Sequence, residues 1–246
     1  MIIGGLQKTT VIDFPGRLAC TVFTVGCNFR CPFCHNKDLL SRELFKKSKL
    51  QLLKEDDFFT FLEKRKKILD GVCITGGEPT LQTDLVNFCG QIKLLGLEVK
   101  LDTNGTNLEI LNELITKKLI DFVAMDVKTV FNDYKKAIGV NFPINKVKQS
   151  LKLIWQSGLP NELRTTVVPG IHNEESILKL ARELANFSLK LNQPINKINY
   201  FLQQFRPQNC LSKKFLRVEP FSEKQIKNIL RSVVKILPNT GLRGVD

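Results

Sequence analysis

Short β-rich runs alternate with helix-period stretches six times along this chain, and that alternation restricts its fold more than any other property. The runs occupy residues 19–25, 71–75, 98–102, 122–126, 163–168 and 197–202. They are short, largely apolar and β-branched, as expected of strands covered on both faces. Residues 56–69, 84–95, 108–119, 144–156 and 174–187 carry apolar side chains near helical spacing. Ser222 followed by Gln225 predicts a capping box that opens a last helix, about 222–237. Strand–helix alternation of this kind demands parallel βαβ units with right-handed crossovers, arranged as an open sheet or a barrel. No Gly/Ser/Pro linker or composition shift divides the chain, so one α/β domain is expected over residues 1–246.

Chemistry in parallel α/β folds gathers at the carboxyl ends of the strands. The residues that follow the proposed strands are Gly26-Cys27, Gly76-Gly77-Glu78-Pro79, Asp102-Thr103-Asn104-Gly105, Asp126-Val127-Lys128 and Pro169-Gly170-Ile171-His172. Cysteines, glycines, carboxylates and a lysine are thereby expected on one face. The cysteines form a C-x3-C-x2-C motif at Cys27, Cys31 and Cys34. Three thiolates in so short a loop suit one small inorganic core, and thiolate ligation is what iron–sulfur clusters require. A zinc knuckle would want a fourth Cys or His at its own spacing. His35 adjoins Cys34 too closely for that and is expected to be a loop hydrogen-bonder. Cys20, Cys73 and Cys89 lie in apolar patterns and read as buried small hydrophobes. Cys210 lies in a polar loop.

The formal net charge is +13. Its basic residues are scattered in short groups (Lys46-Lys47, Lys64 to Lys67, Lys117-Lys118, Lys135-Lys136, Lys213-Lys214) without an aromatic ladder. A solvated surface, or steering toward an acidic protein partner, is therefore favoured over a nucleic-acid interface. No apolar run approaches the roughly 18 residues of a membrane span. The first residues lack the pattern of a signal peptide, so no membrane partner and a cytoplasmic location are expected.

The cysteine motif, with Phe33 before its last cysteine, resembles the signature of the radical S-adenosylmethionine superfamily. Gly76-Gly77-Glu78-Pro79 is similar to that superfamily's GGEP motif. Asp13-Phe14-Pro15-Gly16, Cys34-His35-Asn36, Asp102-Thr103-Asn104-Gly105, Met125-Asp126-Val127-Lys128 and Val167-Val168-Pro169-Gly170 resemble the glycyl-radical-enzyme activases within it. Leu202-Gln203-Gln204-Phe205-Arg206-Pro207 is similar to the branch that activates anaerobic ribonucleoside-triphosphate reductase.

The resemblance implies a partial (β/α)6 TIM-like barrel with parallel strands, and one 4Fe–4S cluster on Cys27, Cys31 and Cys34. It implies S-adenosylmethionine at the iron left open. Cofactor contacts are expected from Phe33, Gly76, Gly77, Glu78, Asp102, Thr103, Asp126, Lys128 and Arg164, with a monovalent cation near the two aspartates. His172 stands short of the position where the activases carry a cofactor-contacting histidine, and a place beside a helix cap is the alternative for it. The implied partners are a glycyl radical enzyme, the anaerobic ribonucleotide reductase above others, and a flavodoxin or ferredoxin as electron donor. Two rivals stand beside this assignment. One is a small radical enzyme acting on a nucleobase precursor, similar to 7-carboxy-7-deazaguanine synthase. The other is a zinc-bearing nucleic-acid-binding module.

Overall fold

The computed structural model describes residues 1–245. Among them, eight strands are hydrogen-bonded in chain order into one sheet. They are β1 (Ile3–Thr10), β2 (Ala19–Thr24), β3 (Gly71–Gly76), β4 (Glu98–Thr103), β5 (Phe122–Asp126), β6 (Asn161–Val167), β7 (Tyr200–Gln204) and β8 (Thr240–Arg243). β1 runs antiparallel to β2. The β2–β3, β3–β4, β6–β7 and β7–β8 pairs are parallel. The helices are α1 (Arg42–Lys47), α2 (Glu55–Arg65), α3 (Leu85–Leu94), α4 (Leu108–Thr116), α5 (Tyr134–Ile138), α6 (Ile144–Ser157), α7 (Glu174–Lys190) and α8 (Glu223–Val234). The topology is the open, mostly parallel α/β arrangement that a partial barrel requires.

The six expected strands are β2 to β7. β1 and β8 stand at the two ends of the order and carry little apolar signal. β1 reads IGGLQKTT, and its register with β2 breaks between Ile3 and Gly5 and between Gln7 and Thr10. β8 has four residues, all half-buried. Helix ends shift by a few residues. α4 stops at Thr116 because Lys118 takes a left-handed conformation (φ 54°), which a continuing helix cannot accept. α7 and α8 start where their caps are. Asn173 and Ser176 exchange side-chain and backbone bonds (2.8 and 3.0 Å) at the head of α7, and Ser222 and Gln225 do so (3.3 and 2.8 Å) at the head of α8.

The chain forms two compact units. The first comprises Met1–Asn28, Asn36–Ala124 and Lys146–Pro160. Its core includes Phe58 of α2 stacked on Phe88 of α3 (centroids 5.2 Å apart, planes at 18°), with Val72, Ile74, Val99 and Leu101 from β3 and β4 fully buried. Cys20, Cys73 and Cys89 are also fully buried, as their apolar settings predict. The second unit comprises Phe29–His35, Met125–Asn145 and Asn161–Asp246. Its core draws on Leu180 and Leu184 of α7, Ile226 and Ile229 of α8, and Tyr200 and Leu202 of β7. The Tyr200 hydroxyl donates to Thr165 Oγ1 (2.8 Å), which donates to the Val127 carbonyl (2.6 Å), so this core ties β7 to β6 and to the end of β5. Among the described residues no helix is long and apolar enough to cross a membrane.

Candidate active site

In the first unit, β2 leads into Gly26-Cys27, and the backbone pins that exit. Gly26 N donates to Leu39 O (2.7 Å), Cys27 N to Leu40 O (3.1 Å) and Glu78 N to Gly26 O (2.7 Å). The last contact explains the paired glycines. A Cβ on Gly77 would lie 2.2 Å from Gly26 O. Gly76 has φ 114°, and a Cβ there would lie 2.4 Å from Thr24 N. The β3 exit thus presses its backbone onto the segment that presents Cys27.

Glu78, the acid of the GGEP motif, is 1% exposed and engaged by protein donors. Thr80 N (3.2 Å), Thr80 Oγ1 (2.6 Å) and Thr103 Oγ1 (2.7 Å) donate to one carboxylate oxygen, and Asn104 N (2.7 Å) donates to the other. Burial pushes its carboxyl above the usual range, and these donors offset part of that. Thr103, at the end of β4, is therefore a partner of Glu78. Asn104 Nδ2 donates to Asn28 Oδ1 (2.9 Å), and Asn28 Nδ2 donates to Thr106 Oγ1 (2.8 Å), which holds the residue after Cys27. Asp102 pairs with the ammonium of Lys100, two residues earlier on the same strand face. Lys100 is 1% exposed, with its nitrogen 5.9 Å from the centre of the Phe122 ring.

In the second unit, Asp126 ends β5 between two cations. Arg164 Nε of β6 lies 2.9 Å from one carboxylate oxygen and Lys128 Nζ 2.8 Å from the other. Burial alone would raise the Asp126 carboxyl, but Arg164 and Lys128 hold it well below the usual carboxylate range. Burial opposes the charge on Lys128, yet Asp126 and then Cys31 hold its ammonium above its ordinary value. The cation row continues through β6. Arg164 Nη1 lies 3.9 Å from Glu162 Oε1, and Arg243 of β8 grips Glu162 with two bonds of 2.8 and 2.7 Å while stacking 3.8 Å over the Phe201 ring. Lys128, Asp126, Arg164, Glu162 and Arg243 therefore alternate in sign.

His172 is 4% exposed and sits beside this row. Val168 N donates to Nδ1 (3.0 Å), so the ring proton lies on Nε2 and is donated to Lys128 O (2.9 Å). Burial pushes its pKa down to about 4. The expected helix-cap neighbour is thus a neutral bridge between the exits of β5 and β6, next to the Asn173 cap of α7.

The rest of the cysteine loop also belongs to the second unit. Cys34 N donates to Cys31 O (3.0 Å), closing a turn, and Arg30 N donates to Ile138 O (2.8 Å) at the end of α5. Gly139 follows with φ 70°, and a Cβ there would lie 2.3 Å from Arg30 O. Phe33 is 4% exposed and tilts against Phe215 (6.4 Å). His35 stacks on Phe205 (5.7 Å), and its Nε2 bonds Arg206 O (2.7 Å), as a loop hydrogen-bonder should. Cys210, although in a polar loop, is 1% exposed. None of Cys27, Cys31 and Cys34 is in a disulfide. Among the described residues no group of three His, Cys, Asp or Glu side chains meets the geometry of a single-ion site. Thiolate donors with Lys128 held positive beside Cys31 suit an iron–sulfur core, since a nearby cation favours thiolate over thiol.

The sequence signature of the Radical SAM superfamily matches residues 21–184, which include the three cysteines and the GGEP motif. The chain belongs to the radical S-adenosylmethionine superfamily. Membership implies a 4Fe–4S cluster and S-adenosylmethionine, and an enzyme that uses them. A Methanocaldococcus jannaschii protein named as a glycyl-radical enzyme activating enzyme is 30% identical over 100% of this chain and 97% of its own length. The pyruvate formate-lyase-activating enzyme of Clostridium pasteurianum is 30% identical over 75% of this chain and 76% of its own. The crystal structure of Streptococcus suis SuiB bound to S-adenosylmethionine superposes with a TM-score of 0.65 at 15% identity. That match covers 90% of this chain and 49% of SuiB, so the chain spans about half of SuiB, and the likeness shows the fold.

Lys100, Tyr134, Glu162 and Arg243 are among the residues of these networks that have no counterpart among the expected site residues. Tyr134 accepts the Lys128 backbone N–H on its hydroxyl (3.1 Å). Period-two spacing was available as a signal for Lys100 with Asp102 and for Glu162 with Arg164, since residues two apart on a strand share a face. Nothing local marks Tyr134 or Arg243.

Proposed function

We propose that this protein is an activating enzyme for a glycyl radical enzyme, and that its partner is the anaerobic ribonucleoside-triphosphate reductase. The full-length match to the M. jannaschii activating enzyme carries the first part of this reading. The Leu202–Pro207 motif supports the second. Cys27, Cys31 and Cys34 would hold the cluster, which would supply the electron for reductive cleavage of S-adenosylmethionine and so the radical chemistry that removes a hydrogen atom from a glycine of the partner.

The residues of this chain would bind and orient the cofactor. Lys128 and Arg164 are cations suited to a carboxylate, and Asp126 holds both in place. Gly76 and Gly77, closed against the backbone of Thr24 and Gly26, would set the course of the β3 exit beside the cofactor, and Phe33 would offer an apolar wall toward the adenine. Asp102 and Asp126 would share the cofactor contacts and a monovalent cation with neighbouring carbonyls. Glu78 and Thr103 act from behind, by fixing the loops that carry these groups. A cytoplasmic location and a flavodoxin or ferredoxin donor complete the proposal.

The test is anaerobic reconstitution with iron and sulfide, reduction, and addition of S-adenosylmethionine with and without the reductase. The expected outcome is 5′-deoxyadenosine together with a glycyl-radical doublet in electron paramagnetic resonance. Cleavage without a doublet would remove the reductase as partner. A Cys27→Ala variant that keeps wild-type iron content and cleavage would refute the cluster assignment.

A further inference from the structure

Between Glu183 and Glu219 the chain has no acidic residue, yet it carries Lys190, Lys197, Arg206, Lys213, Lys214 and Arg217. Much of the surplus charge is therefore concentrated in one stretch. Arg206, Lys213, Lys214 and Arg217 are exposed, and so is Arg30 of the cysteine loop. Leu216, among them, is 40% exposed.

The same stretch is fastened to the cysteine loop. Ser212 N donates to Pro32 O (2.9 Å), and Pro32 lies between Cys31 and Cys34. Asn209 Nδ2 donates to His35 O (2.9 Å), and Phe215 packs on both Phe33 and Phe205. A basic outer face is thus joined, by one backbone hydrogen bond and an aromatic cluster, to the loop that holds two cluster ligands.

We infer that this face, Arg30 with Arg206 to Arg217, receives an acidic one-electron carrier protein. The inference rests on the radical chemistry proposed above and adds where its electron enters. The carrier is oxidised by one electron and the metal centre reduced by one, with no proton or bond transferred between the two proteins. Hydrogen abstraction needs atomic contact with the substrate, whereas an electron crosses a packed, bonded layer. A face sealed by the Phe33–Phe215 contact suits the electron. Charge complementarity steers an acidic partner and speeds its association, an effect that salt screens. RNA is the less suited anion, because Phe205 and Phe215 are buried and offer bases no stacking platform.

The test compares wild type with K213E/K214E/R217E and with K46E/K64E/K67E, an equal charge reversal elsewhere. Stopped-flow reduction of the reconstituted enzyme by a reduced acidic flavodoxin is measured over a range of salt. Dithionite-driven 5′-deoxyadenosine formation is measured alongside. The first variant is expected to lose roughly tenfold or more in the flavodoxin rate constant, with a flatter salt dependence, and to keep its dithionite-driven activity. The second variant should match wild type. Wild-type flavodoxin rates in K213E/K214E/R217E, an equal loss in the control, or a loss confined to RNA binding would each overturn the inference. Absence of dithionite-driven cleavage in wild type would instead refute the radical chemistry.

Discussion

Two buried side chains show how far a residue's local chemistry can differ from its motif's reputation. His172 accepts on Nδ1 from Val168 N and donates from Nε2 to Lys128 O. Protonation would set two N–H groups against each other at Val168. Its folded pKa of about 4 lies below the ordinary 6.5. The stability it contributes is therefore complete above pH 6.5 and is lost as pH falls toward 4. Linkage puts that loss at roughly 3 kcal/mol. Denaturant titrations across this window should show His172→Gln with a flatter pH profile than wild type by about that amount; parallel profiles would refute it. Glu78 is the second case. An amide in its place would turn an NH2 group toward a protein N–H or hydroxyl. Glu78→Gln is expected to cost about 1–3 kcal/mol in chemical denaturation, with the β3 and β4 exits loosened together. The GGEP acid was visible in the sequence, but its work on Thr80, Thr103 and Asn104 was not, because those partners come from two separate strand ends.

Among the elements, the strands were the most legible and the sheet's ends the least. β2, β3 and β5 are largely apolar on both faces, and β4, β6 and β7 keep enough apolar and β-branched residues among their polar and charged ones to read as strands. β1 contains Gly4, Gly5 and Lys8, and β8 is only Thr-Gly-Leu-Arg, so both depend on a neighbouring strand's ladder rather than on their own preference. The GG turn after β3 was legible as a place of close approach, and the structure identifies what approaches: Gly26 O, 2.2 Å from where a Gly77 Cβ would stand. Gly77→Ala must displace backbone rather than a flexible side chain. It should lower stability by about 1–3 kcal/mol and reduce the iron retained after reconstitution. Retention of full iron at unchanged stability would show that the β2 and β3 exits yield more easily than their packing indicates.

For the molecule as a whole, the charge row of the second unit links its last strand to its proposed chemistry. Arg243 is the main counter-charge of Glu162, which is 2% exposed, and Arg164 lies at 3.9 Å. Arg243→Gln leaves a buried carboxylate underpaired and removes the stacking on Phe201. A loss of about 3 kcal/mol is expected from denaturation midpoints. A change under ~0.5 kcal/mol would mean that solvent reaches Glu162. The C-terminal region is where sequence said least: α8 was readable from its cap, but no local pattern assigns Arg243 a partner on β6. The overall class came through because strand–helix alternation is repeated along the chain, whereas each long-range ion pair occurs once. One contact also bears on the cysteine spacing itself. Arg30 N meets Ile138 O, and Arg30 O closes over a glycine with no room for a methyl. The loop is thereby cast against the end of α5 as against a mould. An added residue between Cys27 and Cys31 would lift Arg30 out of that cast, so the length of the motif is held by the shape of its protein bed as well as by any metal it wraps.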